Sequence, residues 1–196
     1  MIPILILAGG RSSRMGGRDK LLEDVGGLPL LRKQALMACK TGQPVFVAIG
    51  QHDDKREATV ADIDLTVLKI ADTDEGMGAT MRGAIAQLPT APAFMILLGD
   101  LVALETTDLT MLQDAYAAHP EHLIWRGATE DGKAGHPIIF DDSLRSKFSV
   151  LAGDRGGDAI VAAASDQTML VKLLGNHARL DLDTPQDWAD WRATKL

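Results

Sequence analysis

Arg11, Arg14, Arg18 and Lys20 fall within ten residues of one another, in the stretch Leu7-Ala8-Gly9-Gly10-Arg11-Ser12-Ser13-Arg14-Met15-Gly16-Gly17-Arg18-Asp19-Lys20. Glycines let a backbone approach a ligand closely and turn its N–H groups toward phosphate oxygens. Arg14 and Lys20 can then neutralise a triphosphate through charge-assisted hydrogen bonds, and only Asp19 opposes them. The stretch is no P-loop, because no Gly-Lys-Ser/Thr closes it, and it lacks the Gly-x-Gly-x-x-Gly spacing of dinucleotide folds. The alternative to a nucleotide site is a solvated basic loop after an edge strand.

Two acidic segments could complete such a site. Leu97-Leu98-Gly99-Asp100 sets a carboxylate just past an apolar run, although Gly-Asp also begins turns. Asp181-Leu182-Asp183-Thr184-Pro185-Gln186-Asp187 could equally be a strand followed by a helix cap and an acidic first turn, which suits the helix dipole. Gly76 and Met77 open a helical stretch whose methionines could simply be core. His136, beside Pro137, could be a structural histidine at a strand end.

Those residues need a scaffold. Pro3–Ala8, followed at once by two glycines, reads as a buried strand, and its carboxyl end is where open α/β sheets bind ligands. Further strands are expected at Pro44–Ile49, Leu65–Ile70, Ala93–Leu98, His122–Arg126, His136–Phe140, Thr168–Leu173 and Arg179–Leu182. Helices are expected at Pro29–Cys39, Gly76–Leu88, from a Thr107 or Asp108 cap to Ala118, at Asp141–Phe148 and Asp154–Ala164, and from the Thr184 cap with Pro185 at the first helical position. Alternation in the first half predicts a mainly parallel sheet with helices on both faces. A more strand-rich second half predicts a mixed sheet. No linker splits the chain, so one domain over residues 1–196 is expected.

Composition narrows the function. With 196 residues, 46% hydrophobic and 24% charged, the chain resembles an ordinary globular protein. A net charge of −7 argues against nonspecific nucleic-acid binding, so positive charge must be concentrated locally to hold a polyanion. The N-terminal apolar run is too short to span a bilayer and lacks a basic leader, so neither membrane insertion nor a signal peptide is expected. The one cysteine, Cys39, reads as a small buried helix residue; it can form neither an internal disulfide nor a zinc site alone. A cytoplasmic address fits.

The Gly-rich stretch resembles the signature Leu-Ala-(Ala/Gly)-Gly-x-Ser-x-Arg-Met-Gly…Asp/Asn-Lys of the molybdenum cofactor nucleotidyltransferases, the MobA-like guanylyl- and cytidylyltransferases. Other matches follow in order along nearly the whole chain. The resemblance implies a three-layer, Rossmann-like sheet of the nucleotide-diphospho-sugar transferase type. It implies nucleotide contacts from Leu7, Ala8, Gly9, Gly10, Arg11, Ser12, Arg14 and Lys20, with Gly76 and Met77 beside the base or ribose. It implies Mg²⁺ on Asp100 and Asp183, and a pterin side that includes His136 and Asp154. Leu101-Val102 departs from the Gln-Pro or Met-Pro that follows the aspartate in many members.

The reaction so implied is attack by a terminal phosphate of molybdopterin on the α-phosphorus of CTP or GTP, releasing pyrophosphate. Arg14, Lys20 and Asp100 would carry it by positioning and charge stabilisation. Leu7-Ala8-Gly9-Gly10 follows the guanylyl form. Gly135-His136-Pro137 and the 153–157 segment follow the cytidylyl form, which is slightly preferred. Molybdoenzyme chaperones or apoenzymes are the implied recipients. The rivals are a sugar-1-phosphate nucleotidyltransferase and a noncatalytic nucleotide-binding regulator.

Overall fold

The computed structural model describes residues 1–153 and 156–194. Seven strands form one sheet: β1 (Ile4–Leu7), β2 (Val45–Gly50), β3 (Thr66–Ile70), β4 (Ala93–Leu98), β5 (Ile124–Ala128), β6 (Ala134–Asp141) and β7 (Thr168–Lys172), in the order β3-β2-β1-β4-β6-β5-β7. The first four are mutually parallel. β6 runs antiparallel to β4 and β5, and β7 pairs parallel with β5. The sheet is therefore mixed, with the reversed strand in its second half as the sequence predicts.

Alternate residues of a strand face opposite sides. Ile4 and Ile6 of β1 join the core under α1 (Leu30–Cys39), α4 (Thr106–Ala118) and α6 (Pro185–Ala193). Leu5 and Leu7 join the core under α3 (Met77–Ile85) and α5 (Asp158–Ala163). Burial on both sides explains why β1 and β4 read as unbroken apolar runs. The chain winds outward from β1 to β2 and β3, then returns to lay β4 on the other flank of β1. The carboxyl ends of β1 and β4 thus border a topological switch point, where ligands bind open sheets.

Several expected elements differ in detail. Arg179–Leu182 forms no strand; only an isolated bridge joins Leu101 to Asp181. Asp142–Val150 is a 3₁₀ helix rather than an α-helix. α2 (Asp54–Val60) lies in a stretch with no apolar stripe, and only Arg56 and Val60 of it are buried. Cys39 ends α1 half-buried rather than fully enclosed. Thr184 caps α6 as expected, forming a reciprocal capping box with Asp187. No helix among the described residues is long and apolar enough to cross a membrane.

Candidate active site

The chain leaves β1 at Leu7 and winds through Gly9–Asp19. Ser12 adopts a left-handed conformation with φ 51°, unusual for a residue with a side chain and often found at functional sites. Its hydroxyl donates to Asp19 Oδ1 at 3.3 Å and accepts the Lys20 N–H at 3.2 Å, which draws the two ends of the loop together. Gly16 and Gly17 have φ of 62° and 87°, values that favour glycine. Met15, just before them, is fully buried in the core and anchors the loop, a contribution of about 1.5–3 kcal/mol for such a side chain.

Arg56 of α2 braces this loop from behind. Its guanidinium donates to the Ala8 and Gly10 carbonyls at 2.5 and 2.8 Å, and to both oxygens of Asp19 at 2.8 and 2.9 Å. Asp19 in turn accepts the Leu21 N–H at 3.0 Å, setting the turn that presents Lys20.

Lys20 points at the end of β4. Its ammonium lies 2.5 Å from Asp100 Oδ2 and 2.9 Å from Asp183 Oδ1. Burial pulls the Lys20 pKa down, but the two carboxylates more than offset this and hold it above the ordinary lysine value. Gly99 donates its N–H to the Leu7 carbonyl at 3.0 Å, and a Cβ there would lie 3.0 Å from the same oxygen. This close approach sets Asp100 beside the exit of β1. Asp183 stands at the entrance to α6, its other oxygen 2.7 Å from the exposed Arg14. Asp181 also faces this group: burial raises its pKa, Asp183 and Asp100 raise it further, and Lys20 opposes them.

A cleft of about 560 Å³ opens above these residues. Leu7, Gly9, Gly10, Arg11, Ser12, Arg14, Lys20, Gly76, Met77, Asp100 and Asp183 all line it, so most of the predicted nucleotide and metal residues converge. Ala8 does not: it is buried, its N–H bonds Ala48 and its carbonyl serves Arg56. Thr73, Thr80 and Asp181 line the cleft without having been predicted, and Arg56 supports it unforeseen. Thr73 opens a short 3₁₀ turn and Thr80 sits within α3, and neither belongs to a motif that would mark it in the sequence. Asp181 lies in the acidic motif two residues before Asp183.

His136 lies outside the cleft lining, at the start of β6. Burial, aided by Arg126, depresses its pKa to about 4, against the pull of Asp100 and Asp158. It is therefore neutral at pH 7. Asp154 lies outside the described residues.

The carboxylates suit a divalent cation. Asp100 Oδ1 is buried without a hydrogen-bond partner, and Asp100 and Asp183 converge on a positive charge that Lys20 supplies. The described residues contain no cluster of three or more His, Cys, Asp or Glu ligands. A cation here would draw its remaining oxygens from phosphates and water, as Mg²⁺ commonly does.

Comparisons with known proteins place the chain in a family. A family model described as a MobA-like NTP transferase domain matches residues 4–168. The molybdenum cofactor guanylyltransferase of Rhodopseudomonas palustris is 41% identical over 87 residues, covering 44% of this chain and 37% of that protein. The enzyme of the same name from Pseudomonas syringae pv. syringae is 28% identical over 138 residues, covering 69% and 64%. The bifunctional protein GlmU of Kineococcus radiotolerans is 31% identical over 121 residues, which is 59% of this chain but only 24% of that protein. The matches thus span between a quarter and two thirds of these relatives' lengths. Among solved structures, Rv0371c of Mycobacterium tuberculosis superposes with a TM-score of 0.82 at 25% identity, covering 96% of this chain and 95% of that one. Its complex with manganese superposes at 0.76 and 22% identity, covering 96% of both chains. The long match over residues 4–168, on the sheet that carries the Gly-rich loop and Asp100, shows that the chain belongs to the MobA-like NTP transferase domain family.

Proposed function

We propose that this protein is a Mg²⁺-dependent nucleotidyltransferase that moves a nucleoside monophosphate from GTP or CTP to the terminal phosphate of molybdopterin and releases pyrophosphate. The observation that carries this reading is Lys20 set between Asp100 and Asp183 on the floor of a cleft walled by the Gly-rich loop. The names of two relatives support the acceptor, and the manganese complex of Rv0371c supports a divalent ion.

A triphosphate would be received by the loop glycines, with Arg14 and Lys20 turning from the carboxylates to the β- and γ-phosphates. Their charge would stabilise the departing pyrophosphate, a role that requires positioned donors and no protein nucleophile. A divalent ion on Asp100 and Asp183 would supply Lewis-acid neutralisation of the α-phosphate and the leaving group. A phosphate acceptor is already ionised at neutral pH, so no general base is needed.

The guanylyltransferase relatives and Gly9 support GTP, whereas Gly135-His136-Pro137 supports CTP. The test is pyrophosphate release from GTP, CTP, ATP and UTP with Mg²⁺, with and without molybdopterin. Release with molybdopterin and one nucleotide is expected. Release with a sugar phosphate instead would sink the acceptor assignment. Tight triphosphate binding with no release for any acceptor would make the chain a binder.

A further inference from the structure

Eight of the ten described arginines are paired with a carboxylate: Arg11, Arg14, Arg18, Arg32, Arg56, Arg82, Arg145 and Arg192. Arg126 and Arg179 are not, in a chain whose net charge is −7. They are bound instead to two successive carbonyls at the start of β6. Arg126 Nε donates to Gly135 at 2.9 Å, and Arg179 Nη1 donates to Ala134 at 2.7 Å. Neither guanidinium has a salt bridge among the described residues, although the chain carries an excess of acid.

Their place in the fold matters as much as their charge. Arg126 sits on β5 two residues after Ile124, so it faces the same side as the core beneath α3 and α5. Its hydrogen bond to Gly135 carries the guanidinium toward His136. In the β4–β6 ladder Ile96 stands opposite Ile138, which puts His136 one step nearer the sheet edge that bears Asp100. Arg179 lies two residues before Asp181, which lines the cleft. Arg179 thus adjoins the cleft through Asp181, and Arg126 neighbours Arg179; neither arginine is itself among the lining residues. Burial lowers the Arg126 pKa; Asp158 opposes that and Arg179 reinforces it, so the two guanidiniums repel one another.

We propose that Arg126 and Arg179 form the receiving site for a phosphomonoester end of the acceptor. This rests on the reading of the chain as a nucleotidyltransferase. Guanidinium pairs offer forked donors that match phosphate oxygens, and an anion between them removes their mutual repulsion. Such a site would let one polyanion approach another. An oxygen of the acceptor phosphate would form the new bond to the α-phosphorus. The bond from that phosphorus to the oxygen bridging to the β-phosphate would break, and its electron pair would leave with pyrophosphate. The nucleophile is an anion, so no proton has to be removed.

The test uses phenyl phosphate as the probe, titrated calorimetrically with Mg²⁺, with and without a triphosphate whose α,β-bridging oxygen is replaced by methylene. The wild type should bind it. Arg126→Gln and Arg179→Gln should each weaken binding at least tenfold, Arg126→Lys should weaken it less, and the dissociation constant of the nucleotide should not move. Wild-type affinity in both glutamine variants, or no binding by the wild type, overturns the proposal. Failure of the wild type to bind nucleotide would strike the nucleotidyltransferase reading instead, and the titration without nucleotide still tests the arginines. Should Arg126→Gln fail to fold, Arg179→Gln carries the test, since its side chain is exposed.

Discussion

Lys20 Nζ lies 2.5 Å from Asp100 Oδ2, and this pair joins the Gly-rich loop to the end of β4 across 80 residues of sequence. The ammonium occupies the charge position that a divalent ion would share. Two effects of Lys20→Met follow. Transfer should lose about 2–4 kcal/mol of transition-state stabilisation, the scale of one preorganised donor. Without nucleotide, however, Asp100 and Asp183 should bind Mn²⁺ more tightly, because no ammonium competes for them. Paramagnetic resonance of free Mn²⁺ reads the second effect. Weaker Mn²⁺ binding in the variant would refute the competition.

Arg56 should be as important to loop geometry as any residue in the cleft. It is buried, and Arg56→Met removes the donor from the Ala8 and Gly10 carbonyls and the guanidinium from Asp19, which keeps only Ser12 and the Leu21 N–H among the described residues. Breaking a buried pair on one side costs about 3–5 kcal/mol. Urea unfolding should show a loss on that scale, and nucleotide affinity should fall in the molecules that remain folded. Arg56→Lys can restore the charge but not the fork, so it should recover stability only in part. Wild-type stability in Arg56→Met would contradict the bracing role.

The contrast between Lys20 and Arg56 shows what the sequence can and cannot disclose. Lys20, Arg14 and Asp100 announce themselves because glycines and charges cluster, or because a carboxylate follows a buried apolar run. The sheet announces itself for the same physical reason: β1 and β4 are covered on both faces and must be apolar throughout. Arg56 sits in His52-Asp53-Asp54-Lys55-Arg56, which reads as a solvated polar stretch. Only the folded chain brings it to Ala8 and Asp19. Arg126 is hidden likewise, because one arginine in a strand has no periodic partner until β6 lies beside it. Arg179–Leu182 has strand-like alternation, yet its β-pairing is a single isolated bridge from Asp181 to Leu101, so no ladder forms.

Gly9 offers a test of base choice. A Cβ there would lie 3.0 Å from Cγ2 of both Thr73 and Thr80, and these two threonines line the cleft. The added methyl would thus act through its neighbours, pushing them into the space for the base. Gly9→Ala should lower kcat/KM for GTP relative to CTP by about tenfold, the scale of one crowded carbon in a pocket. Replacing both threonines by serine removes the two methyl groups and should restore the ratio. An unchanged ratio in Gly9→Ala would show that the base lies elsewhere.

His136 should make the protein sensitive to mild acid. In the folded chain its pKa is depressed to about 4 from 6.5, chiefly by burial, with Arg126 adding to the shift. Asp100 and Asp158 attract the proton but do not prevail. Between these two values the unfolded chain binds a proton that the folded chain refuses, so stability falls as pH drops through this window. The loss attributable to His136 should reach about 3 kcal/mol by the lower end. Carboxylates also titrate there, so the informative quantity is the difference between the wild type and His136→Gln. In urea unfolding from pH 7 to pH 4, the stability of the wild type relative to the variant should fall by about 3 kcal/mol, since the variant lacks the proton-binding site in its unfolded state. Parallel curves would mean that His136 titrates normally in the folded protein and that burial at the start of β6 does not exclude its charge.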